Sequence, residues 1–231
     1  MVFVDLERRW LNTVGRLCFL IVLICLTISS TVESNTDHKT VPQVAHFIGD
    51  GDQLNGLIRE AERLREQQRV ESSQEAIEKY RATLELAESQ QSFEAAARAS
   101  RSMGEIYQLL GDLKKAIESF HTAIALSQKA KSEIEEMKAR NGLAGASFLK
   151  GDSKAAQQNS LAALSLSRAL ADKNAEAAAL SNLGESLYAF GDLPAAQKNQ
   201  KQAFEIWKQL GDFEGEAISQ VALAYYSSKL G

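Results

Sequence analysis

The chain has 231 residues, 45% of them hydrophobic, which is enough to bury a substantial core in one or two domains. Its 26 basic and 30 acidic residues give a formal net charge of −4. This charge provides none of the positive field that nucleic-acid binding requires, so we expect no nucleic acid among the partners. Only two prolines occur, a composition that favours long helices.

The first segment, residues 1–31, has the order of a secretory signal peptide. Three arginines, the last of them Arg16, precede an apolar run from Leu17 to Ile28, and small residues follow at 29–31. A helix over this run would be about 18 Å long, which is shorter than a membrane span needs. The sequence therefore predicts cleavage near residues 29–31 and export to the periplasm or the extracellular space.

An uncleaved membrane anchor over residues 10–28 is the alternative to cleavage, and it is the only contact with a membrane that the sequence indicates. Both cysteines, Cys18 and Cys25, lie in this segment, so a cleaved chain would have no thiol nucleophile and no disulfide. Residues 32–51 are polar and irregular and contain Pro42. We interpret them as a flexible tether.

A repeat with a period of 40 residues begins after the tether and covers residues 52–231. The pair Gly-Asp recurs at 111–112, 151–152 and 191–192. Apolar residues within a unit recur at steps of three and four, which predicts α-helices. Alanines keep the same register and form two columns, Ala76, Ala116, Ala156 and Ala196 in one and Ala123, Ala163 and Ala203 in the other.

Each unit is predicted to be a pair of helices joined at the Gly-Asp turn. Glycine accepts the left-handed conformation that ends the first helix, and aspartate caps the second helix by accepting its free N–H groups. Helices of about 17 residues are marginal alone. We therefore expect the pairs to stack into a solenoid, in which each pair covers the apolar side of its neighbour.

These residues resemble the tetratricopeptide repeat (TPR). The unit from Ser102 follows the family pattern apart from Met for Leu, with Met103-Gly104, Tyr107, Gly111-Asp112, Ala116, Phe120 and Ala123. The next two units depart from it at Ser147 and Ser160, and at Leu187 and Gln200. In the earliest hairpin, roughly 52–90, Glu71-Ser72 replaces Gly-Asp, so the turn lacks its signal. The resemblance implies an all-α, right-handed solenoid that acts as a protein-binding scaffold and has no enzymatic activity of its own.

The long period also resembles the repeats of kinesin light chains and of bacterial proteins in which the array precedes a caspase-like CHAT peptidase domain. Residues 205–231 and the charged lead-in at 60–87 resemble the bacterial subgroup. The last helix, about 213–230, has apolar residues but no partner helix after it. We interpret the chain as a C-terminally truncated array from a longer exported protein, in which residues 213–231 contact further repeats. The alternatives are a natural cap, a dimer interface, or a stand-alone periplasmic or surface adaptor without an enzymatic domain.

No catalytic, cofactor or metal site is predicted. The three histidines, His38, His46 and His121, have no metal-ligand spacing. The segment GDGDQLNG offers Asp50, Asp52 and Asn55 as calcium ligands, but it lacks the glycine and the ligand spacing of an EF-hand loop, and Asp52 fits a helix cap. A metal-dependent hydrolase within the tether is the hypothesis from a different class, and metal analysis of the purified chain tests it.

The remaining prediction is a peptide groove on the concave face, which the family register assigns to the first helix of each unit. Arginine and asparagine at one end would donate to a carboxylate, and aromatic rings at the other would take apolar side chains. The full carboxylate clamp of chaperone-binding relatives is not reproduced, and each position also fits a solvated helix face. The predicted peptide-binding residues are Arg98, Arg101, Glu105, Gln108, Lys138, Asn141, Phe148, Ser181, Glu185, Tyr188, Ile218, Val221 and Tyr225.

Overall fold

The computed structural model describes residues 50–67 and 69–230, and over these residues it contains nine α-helices and no strand. None of the nine is both long and apolar enough to cross a membrane. The predicted signal peptide and nearly all of the predicted tether lie outside the described residues and stay predictions. The helices are α1 (Asp50–Glu66), α2 (Val70–Ser89), α3 (Phe93–Leu109), α4 (Leu113–Ala130), α5 (Glu133–Lys150), α6 (Ser153–Ala169), α7 (Lys173–Ala189), α8 (Leu193–Leu210) and α9 (Phe213–Leu230).

The helices stack as the sequence predicts, each against the next along the chain. Contacts also join next-but-one helices, and these run from α3 to α5, from α5 to α7 and from α7 to α9. The odd-numbered helices are therefore the inner layer of a curved stack, and the even-numbered helices are the outer layer. The prediction of an all-helical array of stacked hairpins is confirmed.

The turns from α2 onward share one geometry. Each contains a single residue in the left-handed conformation, and these residues are 20 apart: Gln91, Gly111, Lys131, Gly151, Ala171, Gly191 and Gly211. The next N–H donates to the carbonyl five residues earlier, as in Asp112 to Tyr107 at 2.9 Å. The glycines predicted to end the first helix of each unit have φ of 80°, 90° and 83°, which confirms that role.

Aspartates cap the second helix of each unit, as predicted. The side chains of Asp112, Asp152 and Asp192 accept the N–H three residues later at 3.2, 3.0 and 3.1 Å. Asp172 and Asp212 do the same at turns between units, at 2.9 and 3.0 Å. The same cap therefore occurs at both kinds of turn, although Ser92 and Ser132, at the other turns between units, form no side-chain cap.

The first hairpin differs from the others. Helix α1 ends at Glu66 and α2 begins at Val70, so the turn precedes the pair Glu71-Ser72 that replaces Gly-Asp in the sequence. Ser72 lies inside the first turn of α2, where its Oγ accepts the N–H of Arg69 at 3.2 Å and donates to the carbonyl of Arg69 at 3.0 Å. Without a glycine to end α1 at the usual place, the serine fixes the start of a longer α2.

Small residues let the helices approach closely. The alanines of the two predicted columns are fully or almost fully buried. The Phe120 ring lies against Gly104 and Gly142, and a Cβ built on Gly104 would come within 2.8 Å of it. One repeat later the equivalent positions of Phe120 and Gly142 are occupied by Ser160 and Asn182. The Ser160 hydroxyl is buried and donates to the Ala156 carbonyl at 2.8 Å.

Candidate protein-binding face

The inner face is formed by α3, α5, α7 and α9, and all of the predicted peptide-binding residues lie on these four helices. The 40-residue repeat aligns them in rows, so one row contains Glu105, Glu185 and Tyr225 and another contains Gln108, Phe148 and Tyr188. The exposed members are Arg98, Lys138, Ile218 and Val221; the partly buried members are Arg101, Glu105, Gln108, Asn141, Phe148, Glu185, Tyr188 and Tyr225; Ser181 is buried.

Ion pairs occupy the N-terminal end of this face. Arg65 of α1 lies 2.7 Å from Glu105, which also pairs with Arg101, and Arg101 lies 2.8 Å from Glu135 of α5. We call these four residues the ionic ladder. Arg98, the other predicted carboxylate donor here, pairs with Glu62.

The arginines of the basic end predicted from the sequence are therefore paired within the fold, and peptide binding by them stays a prediction. The guanidinium groups of Arg98 and Arg101 donate to glutamates of neighbouring units. Burial alone would lower the pKa of Arg101, but Glu105 and Glu135 raise it overall. A ligand carboxylate would compete with Glu105 and Glu135 for the nearly buried Arg101 side chain, whereas the Arg98 side chain is 46% exposed.

Two further predicted residues hold the helices together. The Asn141 side-chain amide donates to the Ala175 carbonyl at 3.2 Å, and the Asn141 carbonyl accepts from Asn182 at 3.1 Å. The Ser181 hydroxyl accepts from Gln200 at 3.1 Å in a buried polar contact below the face. The amide donor that the sequence assigned to a ligand at Asn141 is thus used within the fold, and the Ser181 hydroxyl is a buried acceptor.

Three tyrosines pack together at the C-terminal end. The rings of Tyr188 and Tyr226 stack with centroids 5.1 Å apart at 17°, and Tyr225 meets Tyr188 edge-on at 5.3 Å. The Tyr188 hydroxyl donates to the Tyr225 hydroxyl at 2.9 Å. We call these residues the tyrosine cluster. The sequence prediction missed Tyr226, which is only 3% exposed; its adjacency to Tyr225 was the available signal.

Glu185 lies beside the tyrosine cluster, one helical turn before Tyr188 on the same face of α7. Burial raises its pKa to about 7. Burial also raises the pKa of Tyr226, and the Glu185 carboxylate adds to that increase, which places the two groups in electrostatic range. Glu185 forms no ion pair with any residue that the structure describes.

Metal-ligating side chains and one crevice are the other features of interest among the described residues. No group of three or more metal-ligating side chains occurs there. His121 is exposed on α4, while His38, His46 and the side chains of Asp50 and Asp52 lie outside the described set. An open crevice of about 390 Å³ between α6, α7 and α8 is lined by Glu176, whose pKa is lowered by hydrogen bonds from Lys173 and Arg168.

The stacked hairpins form a TPR-like α-solenoid fold. Residues 135–226 match the family model described as tetratricopeptide repeat. No sequence among the curated proteins matches the chain.

Solved structures share this fold at low sequence identity. A putative kinesin light chain with nearly identical TPR-like repeats from Podosopora anserina is 17% identical with a TM-score of 0.60, over 76% of this chain and 87% of that one. A Rap protein complexed with Competence and Sporulation Factor is 18% identical with a TM-score of 0.63, over 82% of this chain and 51% of that one. The prediction of TPR-like repeats is confirmed, whereas these matches do not show the resemblance to CHAT-domain proteins.

Proposed function

We propose that the chain is a protein-interaction scaffold whose inner face binds a peptide or an extended segment of a partner protein. One observation carries this proposal. At the C-terminal end of the face, Glu185 and the partly exposed rings of Tyr188 and Tyr225 lie together without a charged partner for the carboxyl group among the described residues. Polar groups elsewhere on the face are largely used within the fold.

The known use of this fold supports the proposal. TPR-like repeats commonly bind proteins or peptides, and the Rap protein was solved with its Competence and Sporulation Factor. Tyrosine rings offer large contact areas at low entropic cost, which suits them to recognise an extended chain. We place the partner along the rows of the inner face, where four successive units contribute side chains.

Site-specific photocrosslinking tests this function. Peptides would be selected from a random display library on the full chain, and a photoreactive phenylalanine analogue would then replace Phe148 on inner helix α5. The matched control replaces Leu161, which is 50% exposed on outer helix α6. We expect selected peptides to crosslink at position 148 and not at 161. A library without enriched peptides, or equal crosslinking at both positions, would contradict the proposal.

We further propose that this array belongs to a longer exported protein that carries a CHAT-type peptidase domain. The support is the sequence of residues 205–231 and of the lead-in at 60–87. A His-Gly pair and a later cysteine in the downstream reading frame would support this assignment. The alternative, a stand-alone periplasmic or surface adaptor, predicts a stop codon after one more helix. N-terminal sequencing of the exported chain tests cleavage at residues 29–31.

A further inference from the structure

We propose that Glu185 and the tyrosine cluster form a subsite for a cationic side chain, an arginine or a lysine, of the bound partner. The inference rests on the proposed scaffold function and names the chemistry that this end of the face recognises. At this end of the face the sequence predicts apolar side chains of the peptide, and the carboxylate is predicted at the opposite end.

The repeat allows Glu185, which has no ion pair among the described residues, to be compared with an equivalent glutamate. Glu185 is equivalent to Glu105, two repeats earlier, which lies between Arg65 and Arg101. The positions equivalent to those arginines around Glu185 are Gly145 and Ser181. The same glutamate position therefore has two internal cations in the ionic ladder and neither of them beside the tyrosine cluster.

The position equivalent to one of these arginines accepts a side chain without a clash. A Cβ built on Gly145 would have no neighbour closer than 3.5 Å, from the Gln108 side-chain nitrogen, and the next is the side-chain oxygen of Asn182 at 3.7 Å. Both are ordinary van der Waals distances. Asn182 lies one turn before Glu185 on α7, and Gly145 is the repeat position from which Arg65 reaches Glu105 in the earlier unit.

The surrounding groups favour a cation over other ligands. Ring faces attract cations, and a carboxylate in poorly solvated surroundings binds them more strongly than it does in water. An apolar side chain would bury Glu185 further without a partner, and an acidic one would be repelled. The Lys229 ammonium already lies 5.5 Å from the Tyr225 ring centroid, so this ring accepts a positive charge. The raised pKa of Glu185 agrees with a carboxyl group that lacks a compensating charge.

Titration with a matched pair of small probes tests the subsite. Acetyl-arginine amide carries the cation, and acetyl-citrulline amide has nearly the same shape without the charge. The full chain with labelled tyrosines is suited to NMR because it contains only five tyrosines. We expect the arginine probe to shift the Tyr188 and Tyr226 signals saturably at pH 8, and citrulline to bind about tenfold more weakly or not at all.

Three variants assign the effect to Glu185. Glu185→Gln should reduce the affinity for the arginine probe by about tenfold, to the level of citrulline. Glu205→Gln removes an exposed carboxylate from outer helix α8 and should leave the affinity unchanged. Gly145→Arg restores the equivalent of Arg65 and should block the probe by pairing with Glu185, whereas Gly145→Gln should not. Circular dichroism verifies that each variant keeps its helical fold.

The outcomes separate this inference from the scaffold function. Equal affinities for arginine and citrulline, or an unchanged affinity in Glu185→Gln, would overturn the cationic subsite even if selected peptides crosslink at position 148. Selective arginine binding that Glu185→Gln and Gly145→Arg both abolish would support it. If no peptide crosslinks at position 148 while the arginine probe still binds selectively, the scaffold function fails and the cation-binding property remains.

Discussion

In the N-terminal half of the inner face Glu105 lies between two arginines, whereas in the C-terminal half the equivalent Glu185 lies beside tyrosines and forms no ion pair within the described residues. Both glutamates occupy the same row of the repeat. The fold therefore holds the position fixed while the neighbouring units decide whether its charge is compensated internally. We call the N-terminal half closed, because its glutamate is paired with arginines, and the C-terminal half open, because its glutamate has no ion pair among the described residues. Both halves have the same repeated backbone.

The largest effect on stability should come from breaking the ion pairs of the closed half. Arg101→Met would leave Glu135 without its ion-pair partner, and the side chains of these two residues are only 11% and 9% exposed. Breaking a buried pair in this way should lower the free energy of unfolding by about 3 kcal/mol. Urea denaturation at pH 7 measures the change.

Arg98→Met is the matched control for that experiment, because the Arg98 and Glu62 side chains are 46% and 33% exposed. An exposed pair contributes about 0 to 1 kcal/mol. If Arg101→Met costs no more than Arg98→Met, the ionic ladder does not stabilise this half.

A pH titration should reveal the uncompensated charge in the open half. The pKa of Glu185 rises from an ordinary 4.5 to about 7 on folding, so its contribution to stability is fully present below pH 4.5 and is lost as the pH increases to 7. The loss is at most about 3.5 kcal/mol, since one pKa unit corresponds to about 1.4 kcal/mol.

Glu185→Gln should remove this decrease between pH 5 and 8, because the amide does not titrate. Urea denaturation of both chains at several pH values gives the comparison. If the free energy of unfolding changes with pH in the same way for the wild type and Glu185→Gln, ionisation of Glu185 does not destabilise the fold.

Supplying an internal cation for Glu185 in the open half should stabilise the chain. Gly145→Arg supplies the cation that Arg65 provides to Glu105, and relative to Gly145→Gln it should raise the free energy of unfolding by about 1 to 2 kcal/mol at pH 8. At pH 5, where Glu185 is protonated, the difference should almost vanish. Thermal unfolding at both pH values measures it, and an equal advantage at both would indicate a cause other than pairing with Glu185.

A turn substitution gives the smallest effect and leaves both halves of the inner face unchanged. Ala171 has φ of 55°, a conformation that costs most residues with a Cβ about 1 kcal/mol. Ala171→Gly should therefore stabilise the chain by about 0.5 to 1 kcal/mol. Ala169→Gly, at the last residue of α6, should instead destabilise it, because that residue has helical geometry. Denaturation midpoints distinguish the two.

The sequence predicted those parts of the fold that depend on local chemistry. Gly111 and Asp112 specify their turn by conformation and capping, and both roles are confirmed. The turns at Lys131 and Ala171 lack the glycine of that signal, because residues with side chains occupy the left-handed position there. The turn of the first hairpin differs for the same reason, since no glycine ends α1.

The sequence predicted which helices the site residues lie on, but not which side chains they contact. The family register assigns the peptide-binding residues to inner helices, and they lie there. Whether their charges are paired depends on side chains 34 or 40 residues away. Glu135 pairs with Arg101, and Arg65 pairs with Glu105. Which of these meet is determined by the twist between units rather than by spacing in the sequence. The arginines therefore seemed to be free donors, and Tyr226 was overlooked.

The left-handed residues at every twentieth position also limit how the array can change in length. Each residue of an α-helix turns the chain by about 100°, so loss of one residue would rotate every later side chain away from its row. Addition of a whole hairpin leaves the rows aligned, because it inserts two helices and two identical turns. Such a chain can grow by duplication of entire units, and a copied unit that contains the glutamate brings a carboxylate that its neighbours can either pair or leave unpaired.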